Sequence, residues 1–422
     1  MKINNSLRFQ AKIYRFLLAF YNPRVYKPLF VCCFLVSLIA CTKEEEKDAF
    51  TDTPAAAPQI QSNEVKSDAP VSGISSVTFE IESAVTSIQL VAHSADAELK
   101  IVKLSDSNGN VLFNANGLSD RDLTEASNFQ ASPLTFNYPS LSTQDTLRSG
   151  IYTAQYETRD PQTQDPKDSE VSLDLITKND SDLIKGTINL NVILGDLAAN
   201  NKEMRDGIES AVKLASVMLD RYKLSLFINY INLPELPEIL PDPVAGDVFY
   251  EEMSQANEGG INLFFANGTE KRSGQIYNST SAGASPGPVI PSTRSAIVVS
   301  LANATGQDGR FDADSSNSNN TDSTEDSEVR LLAENLCHEI LSYLGLKDTV
   351  VFNSNIVVDT DGLNSEKCAN RTACEDSKGA NGNIMFPYAL PMSNSGSGQK
   401  YYPRDRLASQ QVEIAQYNVG VE

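Results

Sequence analysis

The chain has 422 residues, of which 41% are hydrophobic, and a formal net charge of −21. This length and hydrophobic content exclude a wholly disordered chain and predict two domains. The acidic balance excludes nucleic acid as a partner, because a strongly acidic surface repels phosphate, and it excludes attraction to anionic lipid.

The first forty residues have the features of an export signal. Six Lys or Arg residues and no acidic residue lie there, and the apolar run LFVCCFLVSLIA at 29–40 ends directly before Cys41. A run of this length is too short for a membrane-spanning helix, which needs about 20 residues. The basic segment followed by a short apolar run therefore predicts a signal peptide over residues 1–40.

The four residues LIAC at the end of this run resemble the lipobox of bacterial lipoprotein signals. That resemblance implies removal of residues 1–40, acylation of Cys41 and a lipid anchor that holds the exported protein to a membrane of the bacterial cell envelope. The alternative is a signal peptide that happens to end next to a cysteine.

Residues 41–70 mix charge, Pro, Ala and Gln without periodicity, which predicts a disordered tether. Residues 71–178 contain short segments with period-two alternation, separated by turn clusters such as SNGN, which predict an all-β sandwich. The strand rhythm and the sequence SGIYT resemble the jelly-roll modules of secreted bacterial peptidases. His93 falls in this region, where a lone strand histidine is typical of a packing or surface role.

Residues 183–422 have a different pattern. The apolar segments GTINLNVILGD, LSLFINYINL, GGINLFFANG and SAIVVSLAN predict strands, and the segment between the first two has helical spacing. Strands that alternate with helices predict an α/β domain. Residues 303–327 are rich in Asp, Ser and Asn, which predicts a flexible acidic insertion in this domain.

The sequence LLAENLCHEILSYLGLKDT, residues 331–349, predicts a buried helix. Apolar residues recur every four positions, at Leu332, Leu336, Ile340 and Leu344. A polar stripe lies on the other side and consists of Asn335, His338, Glu339 and Ser342. In a buried helix such a stripe lines either solvent or a cleft.

The same stretch resembles the zinc-binding helix HExxHxxGxx(H/D) of zinc peptidases. The resemblance implies that His338 and Asp348 are metal ligands and that Glu339 is the general base. It also implies that Gly345 ends the helix, a role that suits glycine because it tolerates positive φ. Ser342 stands where this pattern has its second histidine.

Downstream, the sequence NIMFPY at 383–388 resembles the Met-turn of the metzincin zinc peptidases. It implies that Met385 forms the floor of the site and that Tyr388 overhangs it. The two motifs together make 183–422 similar to a metzincin-like, zincin-like α/β domain with zinc as its cofactor. The alternative is a coincidental match, with His338 a hydrogen-bonded boundary residue and Met385 part of the core.

The substitution at Ser342 has a direct chemical consequence. A serine hydroxyl ends well short of the distal nitrogen of an imidazole, so it cannot reach the same metal from the same backbone position. Catalytic zinc sites have three protein ligands, and His338 and Asp348 supply two. Retention of zinc would require a replacement carboxylate such as Asp359 or Asp361, so we expect weak or absent zinc binding and peptidase activity.

The remaining cysteines divide into two groups. Cys368 and Cys374 lie in one polar loop, and in an exported protein this predicts a local disulfide. Cys337 lies in the apolar pattern of the helix, which predicts a buried, unreactive thiol.

The sequence supports three functional hypotheses. The first is a lipid-anchored protein whose metzincin-like domain has lost efficient catalysis and serves as a binding or scaffold surface for a protein or peptide ligand. The second is an active metalloendopeptidase with an atypical ligand set and Glu339 as general base. The third is a structural envelope lipoprotein or adhesin.

Overall fold

The structure is a computed structural model, and the residues it describes lie within one compact unit, Thr53–Glu422. The described residues are 59–66, 70–115, 128–142, 144–179, 183, 185–257, 260–270, 276–277, 281–282, 286–301, 327–348, 382–385 and 404–421. Among them, no helix combines the length and the apolar content needed to cross a membrane.

The N-terminal part of this unit consists of antiparallel strands. These are β1 Gln59–Lys66, β2 Ile74–Ile81, β3 Ser87–His93, β4 Glu98–Asp106, β5 Val111–Asn114, β6 Leu134–Tyr138, β7 Gly150–Arg159 and β8 Ser172–Lys178. Within the described residues they form two four-stranded sheets with the orders β1-β8-β3-β6 and β2-β7-β4-β5. Strands of both sheets contribute to one hydrophobic core. The two antiparallel sheets are therefore layers over a shared core; the jelly-roll topology stays a prediction.

Period-two alternation explains these strands. In β2, Val77, Phe79 and Ile81 are buried, whereas the residues between them are exposed. Alternate side chains of a strand point to opposite faces, so β2 has one face on the core and one in solvent.

Strand β1 lies within 41–70, the segment in which we expected a tether. It pairs antiparallel with β8, and the register shifts between Gln61 and Val65. The sequence QIQSNEVK has little apolar alternation. Its strand conformation therefore depends on backbone pairing with β8, which no local pattern predicts.

The C-terminal part contains the remaining strands and the helices. The strands are β9 Gly186–Leu194, β10 Leu224–Asn232, β11 Ile239–Pro241, β12 Ile261–Ala266, β13 Gly268–Glu270, β14 Ile276–Tyr277, β15 Ser281–Ala282 and β16 Ile297–Ser300. The helices are α1 Asp196–Asn200, α2 Lys202–Asp220, α3 Val248–Ala256, α4 Ser327–Tyr343 and α5 Ser409–Tyr417. The fold of the described residues is thus mixed α/β, with both antiparallel and parallel sheets.

The main sheet of this part has the order β10-β9-β12-β16-β15. Strands β10, β9, β12 and β16 are parallel, and β15 pairs antiparallel with β16. Every residue of β12 and β16 is buried. Continuous apolar runs of this kind are typical of parallel strands covered on both faces. Helices α2 and α4 cover one face, and α3 and the segment before it cover the other.

Polar contacts join the antiparallel and mixed parts. The buried side chain of Gln89 donates to the carbonyl of Gly287 at 3.0 Å and accepts from the N–H of Val289 at 2.9 Å. The buried Lys178 ammonium donates to the carbonyls of Gln416, Asn418 and Val421. Since buried polar groups need partners, these contacts fix the two parts against each other.

Candidate functional site

Helix α4 presents the predicted site residues. Its buried face, Leu332, Leu336 and Ile340, packs into the same core as α2, and Leu344 directly after the helix lies in that core too. His338, Glu339 and Ser342 lie on the half-buried side of the helix. Packing of the apolar face therefore fixes the rotation of the helix and the direction of its polar stripe.

Gly345 ends this helix in the way that the sequence pattern indicates. Its φ is +103°, and its N–H donates to the carbonyl of Ser342 at 2.9 Å. The N–H of Leu346 donates to the carbonyl of Leu341 at 3.0 Å. These two bonds form a Schellman motif, which satisfies the last carbonyls of the helix and reverses the chain. The reversal brings Asp348 back to His338.

His338 and Asp348, the two predicted metal ligands, meet in the structure. Nε2 of His338 lies 3.2 Å from Oδ1 of Asp348. Nδ1 of His338 lies 3.0 Å from the carbonyl oxygen of Ile384. Because a carbonyl only accepts, Nδ1 must carry the proton and donate it. Nε2 of His338 then faces the carboxylate of Asp348. This contact is favourable only if Nε2 carries a proton or if both atoms bind the same cation.

The distances around His338 also fit metal coordination. Zinc lies about 2.0–2.2 Å from nitrogen and oxygen ligands, so two such atoms of a tetrahedral site are roughly 3.3 Å apart. The 3.2 Å between Nε2 of His338 and Oδ1 of Asp348 matches this separation. Metal-binding histidines typically donate their other ring N–H to a carbonyl or carboxylate, as His338 does to Ile384.

The turn at 382–385 lies beneath this pair. Met385 is fully buried in the core shared with α4. Its N–H donates to Oδ1 of Asn383 at 2.8 Å, and Nδ2 of Asn383 donates to Oε1 of Gln411 at 2.7 Å. The N–H of Ile384 donates to the carbonyl of Arg406 at 2.9 Å. These bonds fix the Ile384 carbonyl, which in turn orients the ring of His338.

A buried ionic network lies one turn before His338. Glu334 and Arg404 are both almost fully buried, and Arg404 Nε lies 3.6 Å from Oε2 of Glu334. Nη2 of Arg404 donates to Oδ1 of Asn335 at 2.6 Å, and Nε of Arg330 donates to Oε1 of Glu334 at 3.2 Å. The network thus links α4 to the segment that supports the 382–385 turn.

Burial and neighbouring charges shift the pKa of both His338 and Glu339. Burial lowers the pKa of His338, but its hydrogen bond to Asp348 and the negative charges of Glu339 and Asp348 outweigh this and leave the pKa above its ordinary value. Burial also raises the pKa of Glu339, and the charge of Asp348 adds to that rise.

The described donors supply part of a zinc site. Among the described residues, no group of three or more His, Cys, Asp or Glu side chains is placed to hold a metal ion. His338 and Asp348 fit two positions, and catalytic zinc sites have three protein ligands. The donors that the structure describes therefore do not complete a catalytic zinc site, and no catalytic step through zinc follows from them.

The other predicted site residues divide into those that the structure describes and those outside it. Cys41, Asp359, Asp361, Cys368, Cys374 and Tyr388 lie outside the described residues, as does most of the predicted insertion. Cys337 is a free, fully buried thiol, and burial raises its pKa well above the ordinary value. Nε2 of His93 lies 3.1 Å from Oδ2 of Asp174, within the antiparallel region.

The residues that support the site have little or no signal in the sequence. Glu334, Asn383, Arg404 and Gln411 hold α4 and the turn together. Asn383 gave a weak signal, since it is a polar residue at the start of a short apolar turn. The pairing of Glu334 with Arg404 joins residues far apart in the chain, so no local pattern indicates it.

Comparison with known proteins gives weak similarities. No protein-family model matches the chain, and no curated protein matches it. Archaemetzincin from Methanopyrus kandleri is 14% identical over 41% of this chain and 81% of that chain, with a TM-score of 0.22. Metalloproteinase-II from Bacteroides fragilis is 10% identical over 45% of this chain and 56% of that chain, with a TM-score of 0.24. A mutant family two carbohydrate esterase from Clostridium thermocellum is 12% identical over 51% of this chain and 80% of that chain, with a TM-score of 0.13. Scores this low establish neither a shared fold nor a shared activity.

Proposed function

We propose that this chain is an exported, lipid-anchored protein with a metzincin-like domain whose peptidase activity is impaired, and that it acts as a binding or scaffold protein at the cell envelope. The observation that supports the proposal is the arrangement around His338. One ring nitrogen faces Asp348 at 3.2 Å, and the other faces the carbonyl of Ile384 beside the buried Met385.

The impairment follows from Ser342. Three local features support the resemblance: Gly345 ends the helix with a φ of +103°, His338 and Asp348 lie side by side, and Met385 is buried nearby. At the position of the second histidine, the hydroxyl of Ser342 is too short to reach a metal that His338 and Asp348 would share. The surface along the polar stripe would then serve to bind a protein or peptide ligand without cleaving it.

A second candidate function is an active zinc endopeptidase. It is favoured by the retention of Glu339 directly after His338 on the half-buried side of α4, which is the position of the general base in the HExxH pattern. Asp359 or Asp361 would have to supply the third ligand in this case.

Restoring the histidine distinguishes these functions. We expect Ser342→His to produce zinc-dependent cleavage of an unstructured protein substrate such as casein, whereas wild type and the control Ser342→Ala show little or none. Wild-type cleavage that is abolished by Glu339→Gln would instead establish the active peptidase. A folded Ser342→His variant that neither binds zinc nor cleaves would refute the metzincin-like assignment.

The lipid anchor is tested separately. We expect Cys41→Ala to move the protein from the membrane fraction to the soluble fraction of the producing bacterium, with Cys337→Ala as a control that stays in the membrane fraction. Persistence of Cys41→Ala in the membrane fraction would favour an uncleaved signal anchor.

A further inference from the structure

Among the residues that the structure describes, strand β10, Leu224–Asn232, is the last strand at one end of the main sheet. Its sequence LSLFINYIN contains no charged residue and no proline, although the chain as a whole carries a formal charge of −21. It pairs with β9 in continuous register over its whole length, from Leu224 with Gly186 to Asn232 with Leu194. Natural edge strands are usually short, bulged or charged, which prevents pairing with other chains. β10 has none of these features.

A row of asparagines crosses the sheet and ends at this edge. Asn262, Asn191 and Asn229 occupy matching positions on β12, β9 and β10. Nδ2 of Asn229 donates to Oδ1 of Asn191 at 3.2 Å, and Nδ2 of Asn191 donates to Oδ1 of Asn262 at 3.1 Å. Asn262 is buried, whereas Asn229 is exposed. The ladder therefore runs from the interior to the outer edge of β10.

Apolar side chains flank Asn229 on both faces of the edge. Ile228 and Tyr230 are partly buried against the core under α2 and α4, and Ile231 is partly buried against the core on the opposite face. Phe227 is also only half-buried. A strand added at this edge would cover the exposed parts of these side chains on both faces.

We infer that β10 pairs antiparallel with β10 of a second copy of this chain, across a two-fold axis at Asn229. In that register Phe227 faces Ile231, Ile228 faces Tyr230, and Asn229 faces Asn229 of the second copy. The asparagine ladder then continues from one sheet into the other. Apolar residues face apolar residues, and no like charges are opposed, which is the arrangement that stabilises cross-strand pairs.

Neighbouring registers are less favourable. A two-fold axis at Ile228 would place Asn229 opposite Phe227, and an axis at Tyr230 would place it opposite Ile231. Both would set a carboxamide against an apolar side chain and end the ladder. The sequence is therefore self-complementary about Asn229, and a second copy satisfies this edge better than an arbitrary peptide.

The test uses the purified full chain in a mild detergent, with oligomeric state measured by sedimentation velocity over a range of concentrations. We expect wild type to form dimers. Asn229→Lys and Asn229→Asp each place like charges directly opposite one another, and each should raise the dimer dissociation constant by about fivefold or more. An equimolar mixture of the two variants should restore dimers, because lysine then faces aspartate.

Thr78→Lys, a matched lysine on an exposed strand position of β2, should behave as wild type. Restoration in the mixture also excludes misfolding as the cause of dissociation. Each of three results would overturn the inference. Wild type could be monomeric, Asn229→Lys could form dimers as readily as wild type, or the mixture of the two Asn229 variants could stay monomeric.

Discussion

The turn that orients His338 depends on the side chain of Asn383, and this dependence can be measured. Asn383 is almost fully buried. It accepts from the N–H of Met385 at 2.8 Å, donates to Oε1 of Gln411 at 2.7 Å and accepts from Nε2 of Gln411 at 3.3 Å. Asn383→Ala removes these three buried hydrogen bonds.

The expected cost follows from the number of bonds and from their burial. A typical hydrogen bond contributes about 1 kcal/mol, and the substitution removes three of them. We therefore expect Asn383→Ala to lower the free energy of unfolding by about 3 kcal/mol. The assay is urea denaturation followed by circular dichroism and tyrosine fluorescence.

Asn108→Ala is the control, since Asn108 lies in an exposed turn and bonds to Asp106 through its backbone N–H. Its effect should stay within about 0.5 kcal/mol. If Asn383→Ala changed stability as little as the control, the turn would not depend on this side chain, and the account of how His338 is oriented would be wrong.

Three further predictions concern the C-cap, one carboxylate and one thiol. Gly345→Ala should destabilise the protein by about 1 kcal/mol, because its φ of +103° is strained for any residue with a Cβ; an unchanged urea midpoint would contradict this. Hydrogen bonds from Lys167 and Ser169 lower the pKa of Asp96 in the folded protein. The ionised Asp96 therefore stabilises the folded protein above its ordinary pKa of 3.8, and this stabilisation is lost as the pH falls through the lowered pKa. Asp96→Asn should therefore destabilise the protein at neutral pH and lose that effect in strong acid, and an equal loss at both pH values would rule out the linkage. Cys337 should resist iodoacetamide in the folded protein and react once urea unfolds it, as peptide mass spectrometry can establish; rapid labelling of the folded protein would contradict its burial.

Local patterns in the sequence predicted the local features of the site. The four-residue spacing of Leu332, Leu336, Ile340 and Leu344 predicted the helix and its buried face. The resemblance to the zinc-binding helix implied that the chain reverses at Gly345, a role that suits glycine because it tolerates positive φ. Burial of Cys337 followed from the same spacing.

Contacts between distant segments could not be predicted in this way. The Ile384 carbonyl on His338, the Gln411 side chain on Asn383 and the buried pair of Glu334 with Arg404 each join residues from different elements. Strand β1 is a further case, since its sequence has little apolar alternation and its partner β8 lies far away in the chain. Such contacts depend on tertiary packing, which spacing along the chain does not encode.

The contacts between the antiparallel and mixed parts have a practical consequence. The side chains of Lys178 and Gln89 in the antiparallel part bond to backbone groups of the mixed part. A fragment that contains only residues 180–422 lacks both side chains and would leave those backbone groups exposed. Metal binding should therefore be measured on the whole chain.

Zinc content of the purified full chain, measured by elemental mass spectrometry, shows whether Ser342 disables the site. We expect well below one zinc per chain in wild type, close to one in Ser342→His, and a return to the wild-type value when His338→Ala is added to that variant. Stoichiometric zinc in wild type that disappears in His338→Ala would contradict the claim that Ser342 disables the site.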